Sequence, residues 1–203
     1  MLGYYIDIHN ESLASFIEEI SAEKTENTQI NFENARALGV ISYDWERVLQ
    51  LHSEQPRISG VHVADAMRRD GASAKDMSLR NMFRTFFLPS GAGFIETETL
   101  TAYDSVDIIK KAGGVPVIAH PKSIGNNETV VGLINYGAKG IEVYHPSQTR
   151  EEREKYKQLA SEYGIFITGG SDWHGKNSSP ETPCIGCAGL DSDNYEILKR
   201  RGR

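Results

Sequence analysis

The chain has 203 residues, 39% hydrophobic and 25% charged, a globular composition that excludes a chain too polar to fold. Twenty-two Lys and Arg stand against 28 Asp and Glu, a net charge of -6. That balance argues against a broad basic face for nucleic acid but leaves room for a local phosphate pocket. The opening MLGYYIDIHNES has no basic region followed by a long apolar core, so it does not read as a secretory signal. No apolar run approaches the roughly 20 residues that span a bilayer. Two cysteines are too few for a disulfide framework, and the expected location is the reducing cytoplasm.

Residues 3–8 (GYYIDI) read as a strand. Residues 13–100 then read as a polar, helix-rich block with no convincing strand. Leu13, Phe16, Ile17 and Ile20 suggest a first helix, 32–38 and 45–51 two more, and 62–69 and 79–87 complete it. From about residue 101 the pattern changes to alternating helices and short apolar runs. Helices are expected over 102–112, 129–136 and 149–163, the last with Tyr156, Leu159, Ala160 and Tyr163 on one stripe. Between them lie VPVIA (115–119), GIEVY (140–144) and IFITG (165–169), starting 25 residues apart and rich in β-branched residues. A short helix is expected over 195–203. The pattern predicts an α/β fold with a parallel sheet, open or part of a barrel. Residues 1–12 and 101–203 form that domain, and 13–100 a helical insertion or lid.

Parallel α/β enzymes place their chemistry at the C-terminal ends of strands. His120 follows VPVIA directly, and Asp172 and His174 follow IFITGG. In an extended chain residues i and i+2 point to one side, so Asp172 and His174 are expected to converge while Trp173 faces away and packs behind the turn. Two imidazoles and a carboxylate suit Zn, Fe or Mn. Asp172 as a turn cap with satisfied histidines is the plainer reading of each residue taken singly. His145 ends the middle strand and suits a substrate contact or a positioning group, as well as an ordinary turn histidine before proline. Lys122 suits a phosphate contact or a plain surface lysine. His62 is positioned to reach down from the lid, and His52 reads as a surface helix residue. Glu142 reads as a core-edge carboxylate pairing with a lysine or a backbone amide. Cys184 and Cys187 lack the further ligands a structural zinc needs, and 150–155 reads as a solvated helix face.

The stretches GGVPVIAHP (113–121), GIEVY, GSDWHG (170–175) and ISGVHVADAMRRDG (58–71) resemble the polymerase-and-histidinol-phosphatase (PHP) family of metal-dependent phosphoesterases. The resemblance runs from Met1 to about Leu190. It implies a distorted TIM-like (β/α)7 barrel, present here in part, with strand ends that hold divalent metals. The later metal ligands of the family fall on His120, Asp172 and His174. Its early D-x-H-x-H-T segment has no counterpart, so the chain looks like the C-terminal two-thirds of a member. Family members often carry Arg-Pro before the histidine matching His62. Gly60-Val61 stand here, leaving Arg57, Lys122 or Arg80 as candidate phosphate cations.

The resemblance implies hydrolysis of a phosphate ester by metal-activated water, with His120, Asp172 and His174 as ligands and catalytic residues. Lys122, His145 and His62 would contact a small phosphorylated substrate, with a nucleotide or an oligonucleotide end as the candidate class. The alternative is a truncated, non-catalytic remnant that binds metal weakly or not at all. An unpaired sheet edge in such a fragment predicts association of copies.

Overall fold

The computed structural model describes residues 1–72, 87, 91, 94–97, 100–175 and 184–201, the last as backbone. The chain divides into two compact units, Met1–Ser15 with Leu100–Arg203, and Phe16–Thr99.

The first unit holds a four-stranded sheet in the order β1-β2-β3-β4: β1 Leu2–Tyr4, β2 Val115–Ile118, β3 Gly140–Tyr144 and β4 Phe166–Gly169. β2, β3 and β4 are parallel. β1 runs antiparallel to β2, with Leu2 opposite Val117 and Tyr4 opposite Val115, so the sheet is mixed rather than wholly parallel. The strand expected over 3–8 stops at Tyr4 because Tyr5 turns the backbone left-handed (φ 56°).

β2 contains Pro116 although strands flank it on both sides, a position that usually rejects proline. The two backbone groups of a strand residue face the same side. The Pro116 carbonyl accepts from Lys139 N–H (2.8 Å), on the β3 side. The N–H that proline lacks would face that same side, one residue before the β2–β3 ladder begins at Val117 and Gly140. The proline therefore costs no ladder bond.

Four helices accompany this sheet: α4 Ala102–Lys111, α5 Asn127–Tyr136, α6 Arg150–Tyr163 and α7 Ser192–Arg201. α4, α5 and α6 start on the side-chain caps Thr101, Asn126 and Thr149, and α6 stops at left-handed Gly164. Val106 of α4, Leu133 of α5 and Tyr156 and Ala160 of α6 pack on Ile118, Ile141 and Val143 of the sheet. Each fully buried aliphatic side chain contributes roughly 1.5–3 kcal/mol.

The second unit contains most of α1 (Glu11–Ala37), with α2 (Trp45–Leu51) and α3 (Gly60–Arg69). The separate helices expected around 13–20 and 32–38 are one helix of 27 residues. No Gly or Pro interrupts the intervening SAEKTENTQIN, and Thr25, Thr28 and Asn31 bond back to carbonyls one turn earlier. Phe32, Trp45, Val48, Val63 and Met67 form the core, with the Phe32 and Trp45 rings 5.3 Å apart. The helix expected over 79–87 lies outside the described residues except for Phe87.

Asp70, just after α3, accepts from Arg47 Nε (2.8 Å) and Nη2 (3.1 Å) and from the Tyr43 hydroxyl (2.8 Å). The Arg47 hydrogen bond, then that of Tyr43, pulls the Asp70 carboxyl down to about 2. A carboxylate depressed by folding stabilises the protein above its unfolded value and loses that contribution as pH falls toward the folded one. The network should therefore weaken between about pH 4 and pH 2. Thermal melts across this window should fall less steeply for Asp70→Asn than for the parent chain. The difference should be small, because the pair is partly exposed.

Candidate active site

The C-terminal ends of β2, β3 and β4 bring His120, His145 and Asp172 together. The His120 and His145 rings lie 5.8 Å apart, edge to face. His145 Nε2 lies 3.6 Å from Asp172 Oδ2, and His174 Nδ1 lies 3.9 Å from Asp172 Oδ1. His120 (φ 27°) and Asp172 (φ 48°) both hold left-handed backbone conformations, which cost non-glycine residues roughly 1–2 kcal/mol each. The segment around Asp172 is thus bent rather than extended, and the expected strand-like convergence of residues 172 and 174 does not apply. Trp173 is 41% exposed instead of packed behind the turn.

Hydrogen bonds fix which ring nitrogen of each histidine carries a lone pair. The Ser123 hydroxyl donates to the His120 carbonyl (2.9 Å), so its oxygen accepts from His120 Nδ1–H (2.7 Å). His174 Nδ1 lies 2.6 Å from the Asp172 carbonyl, an acceptor only, and therefore carries a proton. In their neutral forms both rings keep the lone pair on Nε2, the arrangement found when a histidine ligates a metal and donates its other N–H. His145 is the reverse. Its Nδ1 accepts from Ser147 N–H (3.1 Å), so the neutral ring carries its proton on Nε2. That buried nitrogen has no hydrogen-bond partner, and 3.6 Å to Asp172 is too long for one. His145 is therefore set to donate toward Asp172 or toward an anion beside it.

Two groups that support this site were not singled out as functional by the sequence. Glu142, buried in β3, accepts the His120 N–H at 2.7 Å, so the core-edge carboxylate has the backbone-amide partner expected of it. Its Oε1 would stand 3.4 Å from a Cβ added at Gly170, so one carboxylate touches the ends of β2 and β4. Arg153 donates Nη2 to the His145 carbonyl (3.3 Å) with its Nε buried, although 150–155 reads as a solvated face. The signal is weak: α6 repeats charges on every side, and only packing shows which one turns inward.

Lys122 Nζ donates to the Ser147 carbonyl (2.9 Å) and pairs with Glu152 (3.1 Å). Glu152 is held below the usual carboxylate range by the Thr149 N–H first and by Lys122 after it. Lys122 is thus tethered beside the strand ends. His62 lies in the helical unit, where its Nδ1 accepts from Ser59 N–H (3.1 Å) and its ring stands 4.9 Å from His52. Burial is the main cause of the lowered His62 pKa, with the charges of His52 and Arg57 adding to it. His52 is buried beside Asp65 rather than on the surface. Arg80 lies outside the described residues.

The donor set of His120, Asp172 and His174 has the chemistry of a divalent-metal site, two imidazole lone pairs and a carboxylate. Among the described residues no three His, Cys, Asp or Glu side chains stand close enough to share one ion.

No protein-family profile matches the chain. It is 29% identical over 133 residues to a phosphoribosyl 1,2-cyclic phosphate 1,2-diphosphodiesterase of Eggerthella lenta, covering 66% of this chain and 50% of the relative. It is 27% identical over 179 residues to a 3',5'-nucleoside bisphosphate phosphatase of Chromobacterium violaceum, covering 86% and 61%. The 5'-3' exoribonuclease Rnm of Salmonella typhimurium is 24% identical over 186 residues, covering 86% and 59%. A solved structure from Bifidobacterium adolescentis, proposed as a metal-dependent phosphoesterase, superposes with a TM-score of 0.79 at 27% identity. It covers 98% of this chain, and this chain 69% of it. The chain is thus similar in sequence to phosphoesterases. An amidohydrolase structure from Chromobacterium violaceum, 24% identical with a TM-score of 0.75, shares its fold. The chain spans 50% to 61% of the length of these curated relatives.

Proposed function

We propose that this chain hydrolyses a phosphate ester, with a nucleotide-like molecule or an oligonucleotide end as the substrate class. The observation that carries the proposal is the row His120–His145–Asp172–His174 across three strand ends, with the two outer histidines presenting Nε2 lone pairs. The substrates named for the relatives, a cyclic phosphate, a bisphosphate and RNA, support the substrate class.

The family resemblance assigns a divalent ion, Zn, Mn or Fe, to His120, Asp172 and His174 within a partial PHP-type barrel, although these three side chains are not gathered closely enough here to share one. Such an ion, when bound, acidifies water and neutralises phosphoryl charge. His145 directs its Nε2–H toward Asp172, which orients that carboxylate and places a donor beside an incoming phosphoryl oxygen. Lys122, anchored by Ser147 and Glu152, supplies a fixed positive charge at the same rim. Glu142 holds the His120 backbone in place.

The remnant reading draws on the absence of a three-ligand cluster among the described residues. Turnover separates the two. The purified chain should hydrolyse an aryl phosphate with added Mn²⁺ or Zn²⁺, lose that activity to a chelator and regain it on readdition. No hydrolysis above buffer with any of the three metals, together with no bound metal, would establish the remnant. Among the described residues no helix is long and apolar enough to cross a membrane, and Cys184 and Cys187 are both free thiols, which supports a reducing cytoplasm. Among the described residues β1 has a strand on one side only, so pairing of two copies along that edge also belongs to this proposal.

A further inference from the structure

Cys184 and Cys187 take no part in the strand-end chemistry, and both thiols are free and exposed. The Cys187 N–H faces the Cys184 carbonyl at 3.4 Å, which closes a turn from one cysteine to the other. Gly186 holds φ 82° while Ile185 keeps a negative φ, the pattern of a type II β-turn, which favours glycine at its third position. Such a turn brings its end Cα atoms within about 7 Å, and a disulfide spans Cα separations of about 4.4–6.8 Å. The turn therefore sets the two thiols within bonding reach of each other. Among the described residues no further His, Cys, Asp or Glu joins them in a metal-holding group. The segment lies against the strand ends, because a Cβ added at Gly169 of β4 would stand 3.1 Å from the carbonyl carbon of Gly189. A recess of about 390 Å³ there is lined by Tyr144, Arg153, Gly186, Cys187 and Leu190 among others, with one cation and no carboxylate in its described lining. Arg153 Nη2 donates to the His145 carbonyl (3.3 Å), while its buried Nε has no hydrogen-bond partner. The guanidinium thus keeps donor capacity that a carboxylate would satisfy.

From this geometry we infer that Cys184 and Cys187 are a redox modification site, which exchanges with a small disulfide bearing carboxylates and closes to an intrachain disulfide. The Cys187 thiolate attacks one sulfur of the small disulfide, whose S–S bond breaks, and the departing thiolate takes a proton from water. The Cys184 thiolate then attacks the Cys187 sulfur, expels the second small thiol and forms the Cys184–Cys187 bond. Two protein thiols are oxidised and one disulfide is reduced to two thiols, so no other oxidant is needed. Because the turn already holds the second sulfur close, this closing step is intramolecular at high effective concentration. Arg153 supplies the cation for a carboxylate of the incoming molecule. In a reducing compartment the pair rests as thiols and oxidises when the fraction of small disulfide rises. None of this depends on the hydrolytic reading.

Incubation of the full chain in glutathione buffers of rising disulfide fraction, followed by acid quenching, alkylation and intact-mass measurement, tests this. Both alkylatable thiols should disappear together, with the protein lighter by two hydrogens, and dithiothreitol should restore them. Cys184→Ser and Cys187→Ser should each stop at a glutathione adduct on the remaining cysteine. Arg153→Gln should slow oxidation by glutathione disulfide about threefold or more, and leave oxidation by the uncharged hydroxyethyl disulfide at the parent rate. Should Arg153→Gln fail to fold, as judged by its melting curve, salt carries that part of the test. Added salt should then slow glutathione disulfide and not hydroxyethyl disulfide. The inference is overturned if the parent chain keeps both thiols at the most oxidising ratio, stops at a glutathione adduct, or forms a disulfide between two chains. Equal slowing with both disulfides, or slowing with neither, overturns the role given to Arg153.

Discussion

Asp172→Asn should lower phosphate-ester hydrolysis by about a thousandfold, the loss seen when one group acting directly on transition-state charge is removed. The substitution keeps the shape of the side chain and deletes only its charge. Asp172 stands between His145 Nε2 at 3.6 Å and His174 Nδ1 at 3.9 Å, so it is the one anion in a row of imidazoles. Without it a divalent ion loses its only anionic ligand in the proposed set. Metal content should fall with activity while the melting temperature stays close to that of the parent, because the side chain is 45% exposed. Steady-state hydrolysis and metal analysis on the same preparation check this. Activity within tenfold of the parent would remove Asp172 from the site.

Glu142→Ala should damage stability and activity together. Glu142 Oε2 is the acceptor for His120 N–H at 2.7 Å, and the side chain is 6% exposed. Removing it strips that backbone donor of its acceptor, at about 1–3 kcal/mol, and opens a void beside Gly170. For a chain of this size each kcal/mol moves the melting point by roughly 2–4 °C. His120 holds φ 27° against its own steric preference, so the loss of that bond lets it relax toward commoner conformations. Metal affinity should then drop even at temperatures where the protein is fully folded. Glu142→Gln keeps an acceptor and should recover most of the stability. Equal melting points for the Ala and Gln variants would show that the hydrogen bond contributes nothing measurable.

The βα half of the molecule was legible because its runs are short, apolar and evenly spaced, and capping residues mark its helices. Thr101, Asn126 and Thr149 start α4, α5 and α6 within a residue or two of the expected positions. The direction of β1 was not legible, since strand polarity depends on partners and a run such as GYYIDI suits either. The continuity of α1 was hidden by polar residues that satisfy themselves within the helix. At the site, the residue types at the strand ends were evident, but their roles were not. Ser123, Ser147 and the Asp172 carbonyl decide which nitrogen of each histidine is a donor, and such second partners leave no spacing rule. His52 shows the same limit: a polar residue at a helix end reads as surface until Asp65 and His62 are seen packed against it.

Pro116 bears on how reliably the strand ends meet at all. Sliding β2 past β3 by one position would exchange the faces on which Val117 and Ile118 are buried. It would also ask the proline for an amide hydrogen it does not have. Misaligned pairings are thereby penalised twice, whereas the native one escapes both penalties. The imino acid thus acts as a ratchet tooth during assembly, fixing the height at which His120 emerges from its strand.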